Sequence, residues 1–465
     1  MSSRSPRSTE SSQSAYSRIR EDRGSGVSPA HPSGSFHVES LGCAKNQVDS
    51  EVMIAALLEA GWTVEEEPEA ADVLIVNTCG FISEAKSQSI ETCLELKARH
   101  PGKKVLMVGC LSERYGETLS RELPEIDGFL GNKDPARIVE LVTGVAPAPR
   151  DKAPGPARPY ERSHLLSFPG SAYVKIAEGC ANRCTYCAIP LIRGELASRS
   201  IADILEEIRG LRARGTRELI LIAQDLGSFG RDRGEEGLTS LLSAISAEPG
   251  EFWVRMLYIH PDRFPAGLLD VVARDPRFLP YFDLPFQHAS PEILRSMGRK
   301  GDARKNLSLI REIRDRLPGA VIRSTFLVGF PGETDSDFSR LLDFQDRAGM
   351  DWLGVFTYSR EEDTPAFDMA GAVEEEVARA RKAEVESRQV PITARALDAR
   401  VGQTMDVLIE EPVQGEEMSL GRAYLQAPDV DGLVVVRRRL PAGTLARVRI
   451  TRRNGVDLEG ETVER

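Results

Sequence analysis

Two textures alternate along most of the chain: short continuous apolar runs, and longer stretches whose apolar positions recur at helical spacing. Such alternation is the signature of βα units. Between Phe36 and about Val145, Phe36–Leu41, Val73–Thr78 and Val105–Val108 read as strands of an open parallel sheet. A second series predicts six more strands, at Tyr173–Ala177, Glu218–Ala223, Trp253–Tyr258, Tyr281–Leu284, Val321–Val328 and Trp352–Tyr358. Helical stretches such as Ile201–Arg214 and Phe338–Ala348 separate them, which predicts a partial (β/α) barrel. Beyond a charged helical stretch, Val373–Glu386, the texture changes: Met405–Ile409, Gly432–Val436 and Leu445–Ile450 are strand-like with Gly and Pro between them, as in a small β-barrel. The fold class is α/β throughout, with an all-β end.

The flanks lack periodicity. Residues 1–34 hold eleven serines and five arginines with few large apolar groups, a composition expected to be disordered. Residues 147–169 collect Pro147, Pro149, Pro154, Pro156, Pro159 and Pro169 and read as a linker. The expected domains are therefore 35–146, 170–390 and 391–465.

The 465 residues are 41% hydrophobic, enough for several cores, and the formal net charge of -11 disfavours a general nucleic-acid binder. All seven cysteines fall between Cys43 and Cys187, unlike a secreted disulfide framework, so a reducing, cytoplasmic location is expected. No apolar run is long enough to span a bilayer.

Six of those cysteines form two groups. Cys180, Cys184 and Cys187 are spaced C-x₃-C-x₂-C in a loop directly after the first barrel strand, on the face where barrel active sites form. Three thiols so close must converge on something, and thiolates are the ligands of iron-sulfur clusters. With no fourth cysteine in the loop, one iron would stay open. The competing readings are a zinc knuckle, which would want a nearby fourth ligand although none follows before His260, and ordinary buried thiols. The second group repeats a theme of strand, glycine and cysteine: Gly42-Cys43, Cys79-Gly80 and Gly109-Cys110. In a parallel sheet these carboxyl ends line one crevice, so a second three-cysteine site is expected. Cys93 lies on the apolar face of a helical stretch and is assigned to packing.

Other strand ends offer weaker candidates. Gln224 and Arg323 are polar groups on barrel strands able either to hold a cofactor or simply to satisfy buried backbone. His260 and His288 read as structural, and Glu333 as favourable at the start of the next helix. The stretch Asn46-Gln47-Val48-Asp49-Ser50-Glu51 reads first as a helix start with Asn, Asp and Ser available as caps; following Cys43 so closely it could also serve a site, although capping alone would explain it. From Pro391 onward 11 Arg or Lys face 12 Asp or Glu, a balance of -1 that weakens a case for strong RNA binding by the terminal barrel.

The C-x₃-C-x₂-C loop, with aromatic Tyr186 before its last cysteine, resembles the radical S-adenosylmethionine (SAM) superfamily. The order of three-cysteine domain, barrel and small β-barrel is similar to the methylthiotransferase family, whose last part is called a TRAM domain. Ser40–Glu51, Phe282–Ser290 and Gly354–Ser359 resemble the branch that modifies a ribosomal protein, although Ala44 stands where proline is expected. The tRNA-modifying branches tend to carry Gln-Met-Asn after the first cysteine and Gln-Ser-Gly-Ser where this chain has Gln287-His288-Ala289-Ser290. The resemblance covers roughly residues 35–465. It implies two 4Fe-4S clusters and SAM. Cys180, Cys184 and Cys187 would hold the cluster that reductively cleaves SAM, with Tyr186 beside the cofactor. Cys43, Cys79 and Cys110 would hold the cluster carrying the sulfur. The implied activity is attachment of a methylthio group to the β-carbon of an aspartate of small-subunit ribosomal protein S twelve, with an external electron donor and no catalytic side chain assigned. The alternatives are a tRNA (adenosine) methylthiotransferase, and a non-catalytic iron-sulfur or RNA-binding protein making an RNA contact through its terminal barrel.

Overall fold

A computed structural model describes residues 34–144, 162–234 and 237–464. The expected tail, but for Gly34, and the expected linker up to residue 161 lie outside the described residues. The chain divides into two compact units, the first containing residues 34–144 and 162–166 and the second beginning at Ser167.

In the first unit, β1 (Ser35–Ser40), β2 (Thr63–Val64), β3 (Val73–Thr78), β4 (Lys104–Gly109) and β5 (Gly128–Leu130) form a five-stranded parallel sheet in the order β2-β1-β3-β4-β5. Its near-continuous apolar runs arise because both faces are covered. Val73, Ile75, Leu106 and Val108 pack into one core with the helix Ala44–Glu59, while Leu74, Val76, Val105 and Met107 pack into another with the helix Ser83–Arg99, which includes Cys93. Cys93 is fully buried there, and burial pushes its thiol up to about 12. Part of the expected linker is anchored to this unit: Arg162 forms a buried ion pair with Glu51, which also accepts from Leu166 N–H at 2.9 Å. Removing one partner of such a pair would cost roughly 3–5 kcal/mol.

The second unit contains β6 (Ser171–Lys175), the short pair β7 (Ala177–Glu178) and β8 (Ala197–Ser198), and then β9 (Glu218–Ile222), β10 (Trp253–Met256), β11 (Phe278–Asp283), β12 (Val321–Val328) and β13 (Trp352–Thr357). Six of these form one parallel sheet, β13-β12-β11-β10-β9-β6, whose edges do not meet: the expected partial barrel. Its helix-facing side buries aromatic pairs such as Phe286 with Phe344, edge-on at 5.5 Å. Strands β14 (Thr404–Pro412), β15 (Ser419–Arg422), β16 (Val434–Val436), β17 (Leu445–Asn454) and β18 (Asp457–Thr462) close into a small barrel.

The expected boundary at 390/391 falls inside a helix, Glu375–Asp398, which carries Pro391 in its interior. Gln389 within it bonds Met350 C=O at 2.7 Å and Thr393 bonds Asp351 C=O at 2.8 Å, so tertiary contacts with the partial barrel continue through the proline. That packing overrides the proline's helix-breaking tendency.

Candidate active site

The strand ends that carry the distributed cysteines come together at their glycines. β1, β3 and β4 are adjacent, so their carboxyl ends emerge side by side at the switch in strand order, where open α/β sheets bind ligands. A Cβ on Gly42 would lie 3.1 Å from Cys79 Cβ and 3.5 Å from Cys79 Sγ, and one on Gly80 would lie 2.8 Å from the Cys110 carbonyl oxygen. Gly109 has φ of 96°, a left-handed conformation that lets the chain turn into the helix Cys110–Glu122. Cys43 is exposed at the N-cap of the helix Ala44–Glu59, Cys79 is half-buried, and Cys110 is buried at the first position of its helix. Two of the three thus sit at helix N-termini, where a thiolate is favoured.

Capping does not explain Asn46. It lies within the helix and its carboxamide ties the three strand ends together: Nδ2 donates to Leu41 C=O and Thr78 C=O, both at 3.0 Å, and Oδ1 accepts from Cys110 Sγ at 3.1 Å. Asn132 Nδ2 donates to the same sulfur at 3.3 Å, and Asn77 Nδ2 to Asn46 C=O at 2.8 Å. The sequence offered little sign of these asparagines beyond the nearness of Asn46 to Cys43. Asp49, Ser50 and Glu51, grouped with Asn46 as caps, are likewise buried in the helix interior.

The Cys180–Cys187 loop is held at several points. Cys180 N–H donates to Gly194 C=O at 3.2 Å, Thr185 N–H to Met297 C=O at 3.1 Å, and Ala366 N–H to Thr185 C=O at 2.9 Å. Asn182, between the first two cysteines, donates to Asp225 at 2.9 Å and accepts from Arg263 at 2.6 Å. Glu178, just before the loop, pairs with Lys175 at 2.6 Å and Arg193 at 3.0 Å. Burial opposes its ionisation, but the two cations outweigh burial and hold the carboxyl below the usual range. Burial pushes the Cys187 thiol up to about 12 and raises that of Cys180.

The remaining candidates occupy distinct places. Tyr186 packs against Ile293, Met297 and Phe330, and its hydroxyl accepts from Arg299 at 3.3 Å. Gln224 donates to Glu178 at 2.9 Å, while its buried Oε1 has no partner among the described residues. Arg323 is committed to Asp283 at 3.1 Å and Asp431 at 3.6 Å. His260 and His288 accept from backbone N–H groups two residues on, at 3.2 and 3.0 Å, and burial lowers them to about 3 and about 4. His288 Nε2 is buried with no hydrogen-bond partner among the described residues and lies 4.0 Å from Glu333. Glu333 precedes the N-cap of its helix and turns back to accept from Gly329 and Phe330 N–H, at 2.5 and 3.1 Å, rather than serving the helix end.

All seven cysteines are free, and among the described residues no three His, Cys, Asp or Glu side chains close on a single metal-ion position. The two trios of soft sulfur donors, one on glycine backbone that a Cβ would obstruct, suit a bulky iron-sulfur core.

Comparison with known proteins agrees with this layout. Residues 35–131 match Uncharacterized protein family UPF0004, 174–344 the Radical SAM superfamily and 401–463 the TRAM domain. A ribosomal protein uS12 methylthiotransferase RimO from Treponema denticola is 43% identical, covering 91% of this chain and 99% of the relative. One from Heliobacterium modesticaldum is 44% identical, covering 92% and 95%. Among solved structures, the radical S-adenosylmethionine methyltransferase TsrM from Kitasatospora setae shares the fold, with a TM-score of 0.52 at 17% identity, covering 72% of this chain and 76% of that one. Fold and site together define a radical SAM enzyme of the methylthiotransferase class, a class that uses two 4Fe-4S clusters and SAM. Within that class, the chain belongs to the ribosomal protein uS12 methylthiotransferase RimO family.

Proposed function

We propose that this chain attaches a methylthio group to the β-carbon of an aspartate of ribosomal protein uS12, in the cytoplasm and with an external one-electron donor. The observation that carries this reading is the presence of two separate cysteine trios, each at the carboxyl ends of parallel strands. Cys180, Cys184 and Cys187 would hold one cluster, which would supply the electron for reductive cleavage of SAM, and Cys43, Cys79 and Cys110 would hold the other, which would supply the sulfur. The protein's own contribution is position and dryness. Glu178, neutralised by Lys175 and Arg193, braces the start of the loop. The unpartnered Oε1 of Gln224 is an acceptor for a donor group of SAM, and Tyr186 walls the loop against the apolar cluster around Phe330. Asn46 and Asn132 engage the Cys110 sulfur. Arg323, committed to Asp283 and Asp431, supports the lumen through those two carboxylates.

RNA contact through the terminal barrel is the less supported part. Several of its arginines are already paired, Arg437 and Arg452 with Glu459 at 2.9 and 2.7 Å, and Arg453 with Asp398 at 2.8 Å. Anaerobically reconstituted protein with reductant should release 5'-deoxyadenosine from SAM, and deleting the gene should remove the methylthio mass from the uS12 aspartate. A deletion that instead strips methylthioadenosine from tRNA, leaving uS12 unchanged, rejects this substrate in favour of the tRNA alternative.

A further inference from the structure

A segment of the small barrel, Arg422 to Asp431, plugs the amino-terminal end of the partial barrel's lumen. Register and alternation put Ser171, Glu218, Arg255, Tyr281, Arg323 and Trp352, one from each of the six strands, on the same face of the sheet. Each of the six meets the plug. Arg422 reaches Glu218 at 2.6 Å and Ser171 at 3.2 Å, and also pairs with Glu410. Arg255 donates to the carbonyls of Tyr424 and Ala423, at 3.0 and 3.2 Å, and the Trp352 indole donates to Leu425 C=O at 2.7 Å. The Tyr281 hydroxyl donates to Asp431 at 2.6 Å, and Arg323 lies 3.6 Å from the same carboxyl. The Asp431 side chain is 1% exposed, and burial, against the pull of Arg323, raises its pKa to about 6.

Polar contacts continue from Asp431 to the cysteine loop. Arg323 pairs with Asp283, whose carboxylate accepts from Tyr258 N–H at 3.1 Å and whose carbonyl accepts from Ile259 N–H at 2.9 Å. Tyr258 has φ of 67°, a conformation that its side chain disfavours and its surroundings impose. The turn it begins delivers His260 N–H to Asp225 at 3.0 Å, and Asp225 accepts from Asn182, between Cys180 and Cys184, at 2.9 Å.

We propose that Asp431 is a positioning residue for SAM cleavage: by holding Arg323 and Tyr281 from the small barrel it fixes the lumen floor and, through Asp283, the turn that braces the cysteine loop. This rests on the reading of Cys180, Cys184 and Cys187 as the SAM-cleaving centre. The small barrel is then a working part of the radical site.

The test compares full-length, reconstituted wild type with Asp431→Asn, Asp431→Ala and Tyr281→Phe, reading iron content, thermal midpoint, SAM affinity, and 5'-deoxyadenosine released per methylthiolated uS12. Asp431→Asn, near-isosteric and still able to bond Tyr281, should keep its iron and its melting temperature yet waste about tenfold more SAM per product, with Asp431→Ala worse, toward about a hundredfold. Tyr281→Phe should fall between wild type and Asp431→Asn. Wild-type coupling and SAM affinity in Asp431→Asn would overturn the proposal, whatever happens to stability. If Asp431→Ala does not fold, the asparagine variant decides. If wild type itself makes no 5'-deoxyadenosine, the functional reading fails and this proposal falls with it.

Discussion

On the function proposed above, the two cysteine trios solve one problem, presenting three sulfurs to a large inorganic group, by opposite means. Cys180, Cys184 and Cys187 share one short loop, and their surroundings only have to hold that loop still through Asn182, Thr185 and Glu178. Cys43, Cys79 and Cys110 come from three strands, and no local sequence brings them together. Their meeting depends on the strand order β2-β1-β3-β4-β5, on the Asn46 tie and on three glycines. A local trio keeps its sulfurs together whatever happens elsewhere in its unit, which can alter only how the loop is aimed. A distributed trio makes the whole sheet part of the ligand set.

The sharpest way to break the comparison is to remove one sulfur from each. Cys184→Ala should reduce 5'-deoxyadenosine formation to background while about half the iron remains, and Cys79→Ala should leave SAM cleavage intact while abolishing methylthio transfer. Loss of SAM cleavage in both variants would mean that the trios are not independent. A smaller effect tests the glycine backbone. Gly109→Ala would meet Thr78 backbone at 3.0 Å and force a left-handed conformation, so it should cost about 2–4 kcal/mol in denaturant unfolding and deplete the second cluster only. A stable Gly109→Ala protein with full iron would show that the strand ends have slack.

The smallest effect sharpens the difference in burial. Burial pushes the folded Cys187 thiol up to about 12 from a reference of 9.0, so between those values the folded apo-protein binds more protons than the unfolded chain. Stability is therefore fully present below pH 9 and falls as pH rises toward 12, by about 1.4 kcal/mol per pH unit. Cys93 acts in the same direction in the first unit, so the measurement uses Cys93→Ala. Apo Cys93→Ala compared by urea unfolding at pH 8.5 and 10 should lose stability, and adding Cys187→Ala should reduce that slope, with Cys180, also raised by burial, keeping part of it. An unchanged slope would mean that Cys187 is not buried as described.

Local chemistry was the legible part. The C-x₃-C-x₂-C spacing, the apolar runs of both parallel sheets and the three strand-glycine-cysteine junctions could all be read along the chain, because each is written within a few residues. The site role of Asn46 ranked behind capping because a polar residue near a helix start has a common local explanation, and its partners, Thr78 and Cys110, are far away in sequence. β15 and β18 were missed because Ser419–Arg422 and Asp457–Thr462 are short, polar and glycine-bearing, with little apolar alternation. The Arg422–Asp431 plug left no periodic trace at all. Its meaning lies in six lumen-facing side chains contributed by strands scattered from Ser171 to Trp352.

The helix Glu375–Asp398 carries a consequence for exchange of parts between relatives. A splice placed by sequence texture, near residue 390, would sever a continuous rod and pair its halves from different parents. Recombination that keeps this rod whole, joining instead at the turn before Thr404, gives the foreign β-barrel a native stalk. Even then the graft must bring its own match to six inward-facing side chains, so the terminal barrel and the catalytic sheet are expected to be inherited as a pair rather than shuffled.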